Sequence, residues 1–168
     1  LPKLVWFYGE PYADSSSLPS YYLAQMARQH VTVVLDGDGG DENFAGYQRY
    51  LANRMAHSAR KLPKTFYKGV LRSLDFFGES TKNKDRIVQL KRFCRGVLES
   101  PERGYLMWVG ITDELTKRWL YTEDMLRQVG EADSTAIIVE LFQNSTGGDI
   151  VEKTMDVDMH SYLPDDLL

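Results

Sequence analysis

Apolar and polar positions change period along this chain, and the change divides it near residue 50. Residues 1–8 open with an apolar, aromatic run (Leu4, Val5, Trp6, Phe7, Tyr8), too short for periodicity to separate a helix from a buried strand. Gly9-Glu10-Pro11 breaks it. Asp14-Ser15-Ser16-Ser17 then offers helix N-caps, and Pro19 falls in the first turn, where a missing N–H matters little. Leu18, Tyr21, Tyr22, Gln25 and Met26 recur at helical spacing, and Arg28 and His30 suit a helix C-terminus. Val31-Thr32-Val33-Val34-Leu35 is apolar on both faces and β-branched, which predicts a buried parallel strand. A helix feeding such a strand is half of an α/β unit.

From Leu51 to Tyr162 the period is helical and almost no strand signal remains. A basic amphipathic stretch (Arg54, His57, Arg60, Lys61) ends before Pro63. Residues 66–77 and 86–98 predict helices around the polar loop 78–83. Ser100-Pro101 marks another N-terminus, with Tyr105, Leu106, Trp108 and Val109 following. Thr122-Glu123-Asp124 and Asp133-Ser134 start two more, the second carrying Ile137, Ile138, Leu141 and Phe142. Asp149 with Glu152 is a capping-box arrangement, after which Val151, Met155, Met159 and Tyr162 line one face. No repeat or low-complexity segment appears. The expectation is a mostly α chain with one or two short parallel strands whose sheet partners lie elsewhere.

The bulk numbers narrow the function classes. At 168 residues, 43% hydrophobic and 26% charged, the chain has the make-up of a soluble globular domain or part of one. A net charge of −4 gives no reason to expect nucleic acid or an anionic membrane as a partner. The single cysteine, Cys94, precludes an internal disulfide and fits a reducing compartment, so a cytoplasmic location is expected. No apolar run approaches the roughly 20 residues that span a bilayer, and the N-terminus does not read as a signal peptide. The lack of an initiator Met, and a last stretch in which a helix is starting, lead us to expect a piece of a longer protein.

The densest chemistry lies in Asp36-Gly37-Asp38-Gly39-Gly40-Asp41-Glu42, directly after the predicted strand. Clustered carboxylates suggest a calcium loop, but Gly40 would fall at the fifth ligand position, Asp41 at the invariant glycine and Tyr47 at the closing glutamate. The calcium-loop reading fails on position. Two readings stay open: a glycine-rich surface turn with solvated acids, and a site where backbone approaches a polyphosphate while an aspartate holds its magnesium.

The run Leu35-Asp36-Gly37-Asp38-Gly39-Gly40-Asp41-Glu42-x-Phe44-x-Gly46-Tyr47-x-x-Tyr50 resembles the second signature of the glutamine-hydrolysing asparagine synthetases, Ser-Gly-Asp/Glu-Gly-x-Asp-Glu followed by Phe-Gly-Gly-Tyr. Glu10-Pro11-Tyr12-Ala13-Asp14-Ser15-Ser16 with Pro19 is similar to the segment upstream of that strand. Asp158 with Tyr162-Leu163-Pro164-Asp165-Asp166-Leu167-Leu168 is similar to the family's Tyr-Leu-Pro-Asp entry to its next helix.

The resemblance implies one partial synthetase domain over residues 1–168, in a parent of the adenine-nucleotide alpha-hydrolase (PP-loop ATPase) type. Residues 1–50 would be its α/β part with the ATP and magnesium loop, and 51–168 its helical part. It further implies ATP and Mg2+ as cofactors, aspartate and glutamine-derived ammonia as substrates, adenylation of the aspartate side chain and release of AMP. By position Asp38 would be catalytic, Asp36 and Gly37 would lie at ATP, and Asp41 would bind magnesium. A carboxylate at Asp38 suits the proton that an incoming ammonium must lose. Two positions depart from the family: Asp36 stands where Ser is common, and Ala45 replaces the first Gly, which we expect to be a mild change. The glutaminase domain and the earlier pyrophosphate loop would be supplied by the rest of the parent, so these residues alone are expected not to turn over. A homodimer is left open. So are a relative acting on another carboxylate (β-lactam-forming, or modifying a polysaccharide or peptide) and a non-catalytic helical interaction module.

The remaining candidates read as structural. Asp156, Asp158, Asp165 and Asp166 are expected on an exposed helix face and at a new N-cap. His30, His57 and His160 have no partner at metal spacing, Cys94 belongs in a core, and Arg54, Arg60, Lys61, Lys64 and Lys68 form a solvated helix face. The sequon Asn144-Ser145-Thr146 lacks a secretory signal beside it.

Overall fold

The computed structural model describes residues 2–9, 12, 14–75, 86–110, 114–130 and 132–167. Eleven α-helices and a π-helical turn account for most of them. In order they are α1 (Pro2–Tyr8), α2 (Ser17–Ala27), α3 (Gly40–Phe44), α4 (Gln48–Ala59), α5 (Lys64–Asp75), α6 (Arg86–Leu98), α7 (Pro101–Val109), α8 (Glu114–Leu120), α9 (Glu123–Val129), α10 (Ala136–Asn144) and α11 (Ile150–His160). The π-helical turn is Leu163–Leu167. The ambiguous first run is thus helical. The predicted loop at 78–83, and Glu10, Pro11 and Ala13, lie outside the described residues.

Helix starts follow the caps in the sequence. Ser100 accepts from the Arg103 amide with Pro101 in the first turn, and Thr122 accepts from the Met125 amide. Asp149 accepts from the amides of Val151 and Glu152, while Glu152 reaches back to the Gly148 amide at 2.6 Å. Each satisfies N–H groups that a helix start otherwise leaves without partners.

Two apolar clusters form the core, and Trp108 packs against both. Ala56, Tyr67, Cys94 and Val97 join α4, α5 and α6; Tyr105, Phe142 and Val157 join α7, α10 and α11. Cys94 is buried, as expected, and burial pushes its thiol pKa up. The third buried layer is polar. Helix α4 buries Tyr50 and Asn53, helix α11 buries Thr154 and Asp158, and Asn53 donates to Thr154 at 2.7 Å.

Three expectations need correction. Residues 31–35 form no strand. A strand exists through ladder hydrogen bonds to a neighbour, no other described residue forms one, and the run is left exposed, Leu35 to 95%. Asp158 does not sit on an exposed face: it is 1% exposed, because the phase of α11 turns it inward beside Thr154 and Val157. Arg60 leaves the solvated basic face as well. It donates to the carbonyls of Gly96, Glu99 and Ser100 at the end of α6, and burial lowers its pKa. The histidines behave as read, all three being exposed.

Candidate functional site

The acidic loop is ordered by its own backbone. Asp36 Oδ1 accepts from the Asp38 amide at 3.2 Å, and the Gly40 amide donates to the Gly37 carbonyl at 3.0 Å. Gly39 turns the chain through φ 82°, a conformation that glycine adopts without steric penalty, and its carbonyl accepts from Asn43 Nδ2 at 2.6 Å. Helix α3 follows at once and stops at Ala45, which also lies in the left-handed region, φ 58°. The Gly46 amide then donates to the Asp41 carbonyl at 3.0 Å.

The glycines divide into two kinds. Gly39 and Gly46 are needed by the chain itself: Gly39 turns left-handed under Leu163, and a Cβ on Gly46 would lie 1.9 Å from Asp41 Oδ1. Gly37 and Gly40 have open space where a Cβ would be, with no atom within 4 Å. Nothing among the described residues excludes a side chain there, so their bareness suits an approach from outside.

Asp36, Asp38 and Asp41 are all exposed on one short stretch, with Asp41 drawn back over Gly46. Among the described residues no three Asp, Glu, His or Cys side chains gather as a metal-binding group. A closed cage for a cation is therefore not built here. Magnesium, however, typically takes only one or two carboxylates and fills its other positions with water and phosphate oxygens. Asp41 and the open backbone at Gly37 and Gly40 fit that mode.

Below the loop lies a set of residues that spacing did not single out as a unit. Glu42, next to Asp41, is 1% exposed and accepts from Tyr47 Oη at 2.8 Å, while its Oε2 is buried without a partner. Asp158 receives four donations: from Tyr50 at 2.7 Å, from Arg49 Nε and Nη2 at 3.2 and 3.0 Å, and from Tyr105. Burial pushes the phenol pKa values of Tyr47, Tyr50 and Tyr105 up, and their bonds to Glu42 or Asp158 push the same way. Burial alone would lower the Arg49 pKa, but Tyr105 and Asp158 outweigh it and the guanidinium is held charged. Tyr12, stacked on Tyr8 at 4.1 Å, donates to the Asp166 carbonyl; burial and then Asp166 push its pKa up to about 12. One signal for this set was in the sequence. Asn53 lies three residues after Tyr50, and Asp158 lies four after Thr154, so each helix carries two polar groups on the face that is buried.

Among the described residues, then, a helical body carries a short, exposed loop of acids and glycines. The asparagine synthase family model matches residues 1–168, and the chain belongs to that family. It is 37% identical over 122 residues to "Putative asparagine synthetase (glutamine-hydrolyzing) 2" of Methanocaldococcus jannaschii, covering 71% of this chain and 23% of that protein. It is 29% identical over 168 residues to asparagine synthetase (glutamine-hydrolyzing) 1 of Bacillus subtilis, covering 100% of this chain and 25% of that protein. The chain thus spans about a quarter of the length of these curated relatives. No solved structure matches it. Among the described residues no helix is long and apolar enough to cross a membrane.

Proposed function

We propose that this chain is part of the synthetase domain of an ATP-dependent amidotransferase, one that activates the aspartate side chain as an acyl adenylate and transfers glutamine-derived ammonia to give asparagine. Residues 1–50 supply one wall of the ATP and magnesium site, and 51–168 are the helical body that supports it. The parent works as a soluble enzyme of the cytoplasm.

The observation that carries this reading is the loop: Gly37 and Gly40 stand open where nothing among the described residues requires glycine, beside three exposed aspartates. Family membership supports it. Asp41, held over Gly46, would bind the magnesium, which when bound offsets the negative charge of a pyrophosphate leaving group. Asp38 would take the proton that the incoming ammonia loses as it attacks the activated carboxyl. Gly37 lets the backbone come within hydrogen-bonding range of the nucleotide. The Asp36 side chain bonds the Asp38 amide at 3.2 Å, so it shapes the turn as well as facing the nucleotide.

The test is Asp41→Ala and Asp38→Asn in the full-length protein, with Mg-ATP binding and the release of AMP and pyrophosphate followed against aspartate and other carboxylates. Asp41→Ala should weaken Mg-ATP binding, and Asp38→Asn should leave binding but suppress product. Unchanged binding and turnover in Asp41→Ala would instead favour a non-catalytic helical module. Turnover with a different carboxylate would keep the site and change the substrate. AMP release by residues 1–168 alone would show that the loop is more than one wall of the site.

A further inference from the structure

Arg49 lies at the meeting point of the loop helix and the far end of the chain. Its guanidinium carbon is 3.7 Å from the centroid of the Tyr47 ring and 4.3 Å from that of Tyr162, and the two rings stand edge to face at 87°, so the cation sits in the corner between them. Nε and Nη2 both donate to Asp158 on α11. Tyr47 in turn donates to Glu42 on α3. After Tyr162 the chain continues into Leu163, which meets the position a Cβ would take on Gly39 at 3.6 Å. The contacts close a ring: α3, Tyr47, Arg49, Tyr162, Leu163 and back to Gly39, the left-handed turn inside the acidic loop.

We propose that Arg49 is a positioning residue for the acidic loop, clamping the Tyr162–Leu163 segment over Gly39 so that residues 36–41 are held in one conformation. The proposal rests on the function proposed above, since it concerns the same loop. It touches none of the reacting groups and acts only through Tyr162, Leu163 and Gly39. The geometry calls for the guanidinium in particular. A planar fork can give two N–H groups to one carboxylate while its cationic carbon stays within reach of both rings; an ammonium carries the charge but has no fixed fork for the paired bonds. Leu163 is the other end of the clamp, and its side chain bounds the space above Gly39 together with Asn43 Nδ2, each 3.6 Å from where a Cβ would lie.

The experiment uses the full-length protein in four forms: wild type, Arg49→Lys, Leu163→Ala and the double variant. Three measurements are made on each: hydrogen exchange at the Gly40 amide, which donates to the Gly37 carbonyl, equilibrium affinity for Mg-ATP, and kcat and KM for AMP formation. Each single variant should lower the protection of Gly40 and weaken Mg-ATP binding or kcat by about ten- to a hundredfold, the scale of a misplacement near 1 Å. KM for aspartate should stay near its wild-type value. The double variant should be no worse than either single one, because both cut the same ring. If Arg49→Lys keeps wild-type Gly40 protection and Mg-ATP affinity, or if the two losses simply add, the proposal is overturned. Should Arg49→Lys fold poorly, Leu163→Ala decides: wild-type protection of Gly40 there refutes the clamp. Asp41→Ala is run in parallel. Intact Mg-ATP binding in that variant defeats the functional reading, and the Gly40 exchange still decides the clamp.

Discussion

Asp41 and Gly46 are in contact: the place a Cβ would occupy on Gly46 lies 1.9 Å from Asp41 Oδ1 and 3.3 Å from Asp41 Cα. The carboxylate proposed to bind magnesium is therefore seated where only the lack of a side chain on Gly46 leaves it room. Gly46→Ala should push that carboxylate away while leaving the exposed loop folded, because the nearest atom belongs to a side chain free to turn. We expect a loss of stability within about 2 kcal/mol and a rise of at least about tenfold in the Mg2+ concentration needed for ATP binding. Titrating Mg2+ against ATP binding in the full-length protein checks this. An unchanged titration would mean that the seat at Gly46 does not set the position of Asp41.

Ala45 closes α3 with φ 58°, the one residue other than glycine with positive φ among those described. Its replacement of the family's glycine was expected to be mild, yet it falls where a Cβ crowds the following carbonyl oxygen. That crowding costs about 1–2 kcal/mol, partly offset by the smaller conformational freedom of alanine in the unfolded chain, about 0.4–1 kcal/mol. Ala45→Gly should raise stability, by on the order of 1 kcal/mol or less. Urea unfolding of the two forms with an unchanged m-value tests the sign. A loss of stability would show that the unfolded-state entropy outweighs the strain.

The sequence carried the helices and their starts because the signals are local. Ser100, Thr122 and Asp149 each need only the next three amides to act as caps, and those amides are adjacent in the chain. Residues 31–35 failed for the complementary reason. Their pattern states what the run needs on both faces, but a ladder depends on a second segment that local pattern cannot supply. In the site, the outward residues Asp36, Gly37, Asp38 and Asp41 were legible from type and spacing. The support beneath them was not. Arg49 and Asp158 are 109 positions apart, and only the packing of α4 on α11 brings them together. An acid on a half-polar helix reads as solvated until its partner helix is known.

Asp133 gives the chain an acid-side signature. It accepts from the Thr135 hydroxyl at 2.6 Å and the Thr135 amide at 2.9 Å, and it pairs with Arg103. Those bonds from Thr135, followed by Arg103, bring its pKa from 3.8 down to about 2. A carboxyl whose folded pKa is depressed stabilises the fold above its unfolded value, and this contribution fades as pH falls from 3.8 to about 2. Asp133→Asn should therefore be less stable than wild type above that window and equal to it below. Urea midpoints for both proteins across the window provide the check. A constant gap at all pH values would assign the effect to lost packing, not to charge.

Asp158 decides whether the buried polar layer is a framework or a weakness. The carboxylate takes two N–H donations from Arg49 and one O–H each from Tyr50 and Tyr105, all within the α4, α7 and α11 interface. Removing one donor leaves it well solvated by the other three, so Tyr105→Phe should cost only about 1–2 kcal/mol. Removing the acceptor is different in kind. Asp158→Ala leaves a charged Arg49 that is largely out of water, and two buried hydroxyls without their acceptor, a change that costs about 3–5 kcal/mol. The asymmetry between the two variants is the diagnostic: Tyr105→Phe keeps the ring and removes one donor, whereas Asp158→Ala removes the acceptor that four donors share. Denaturant midpoints at constant m-value measure it. If Asp158→Ala costs no more than Tyr105→Phe, the carboxylate is a passenger and the layer is held by apolar contacts such as that of the Tyr105 ring with Phe142, centroids 5.7 Å apart.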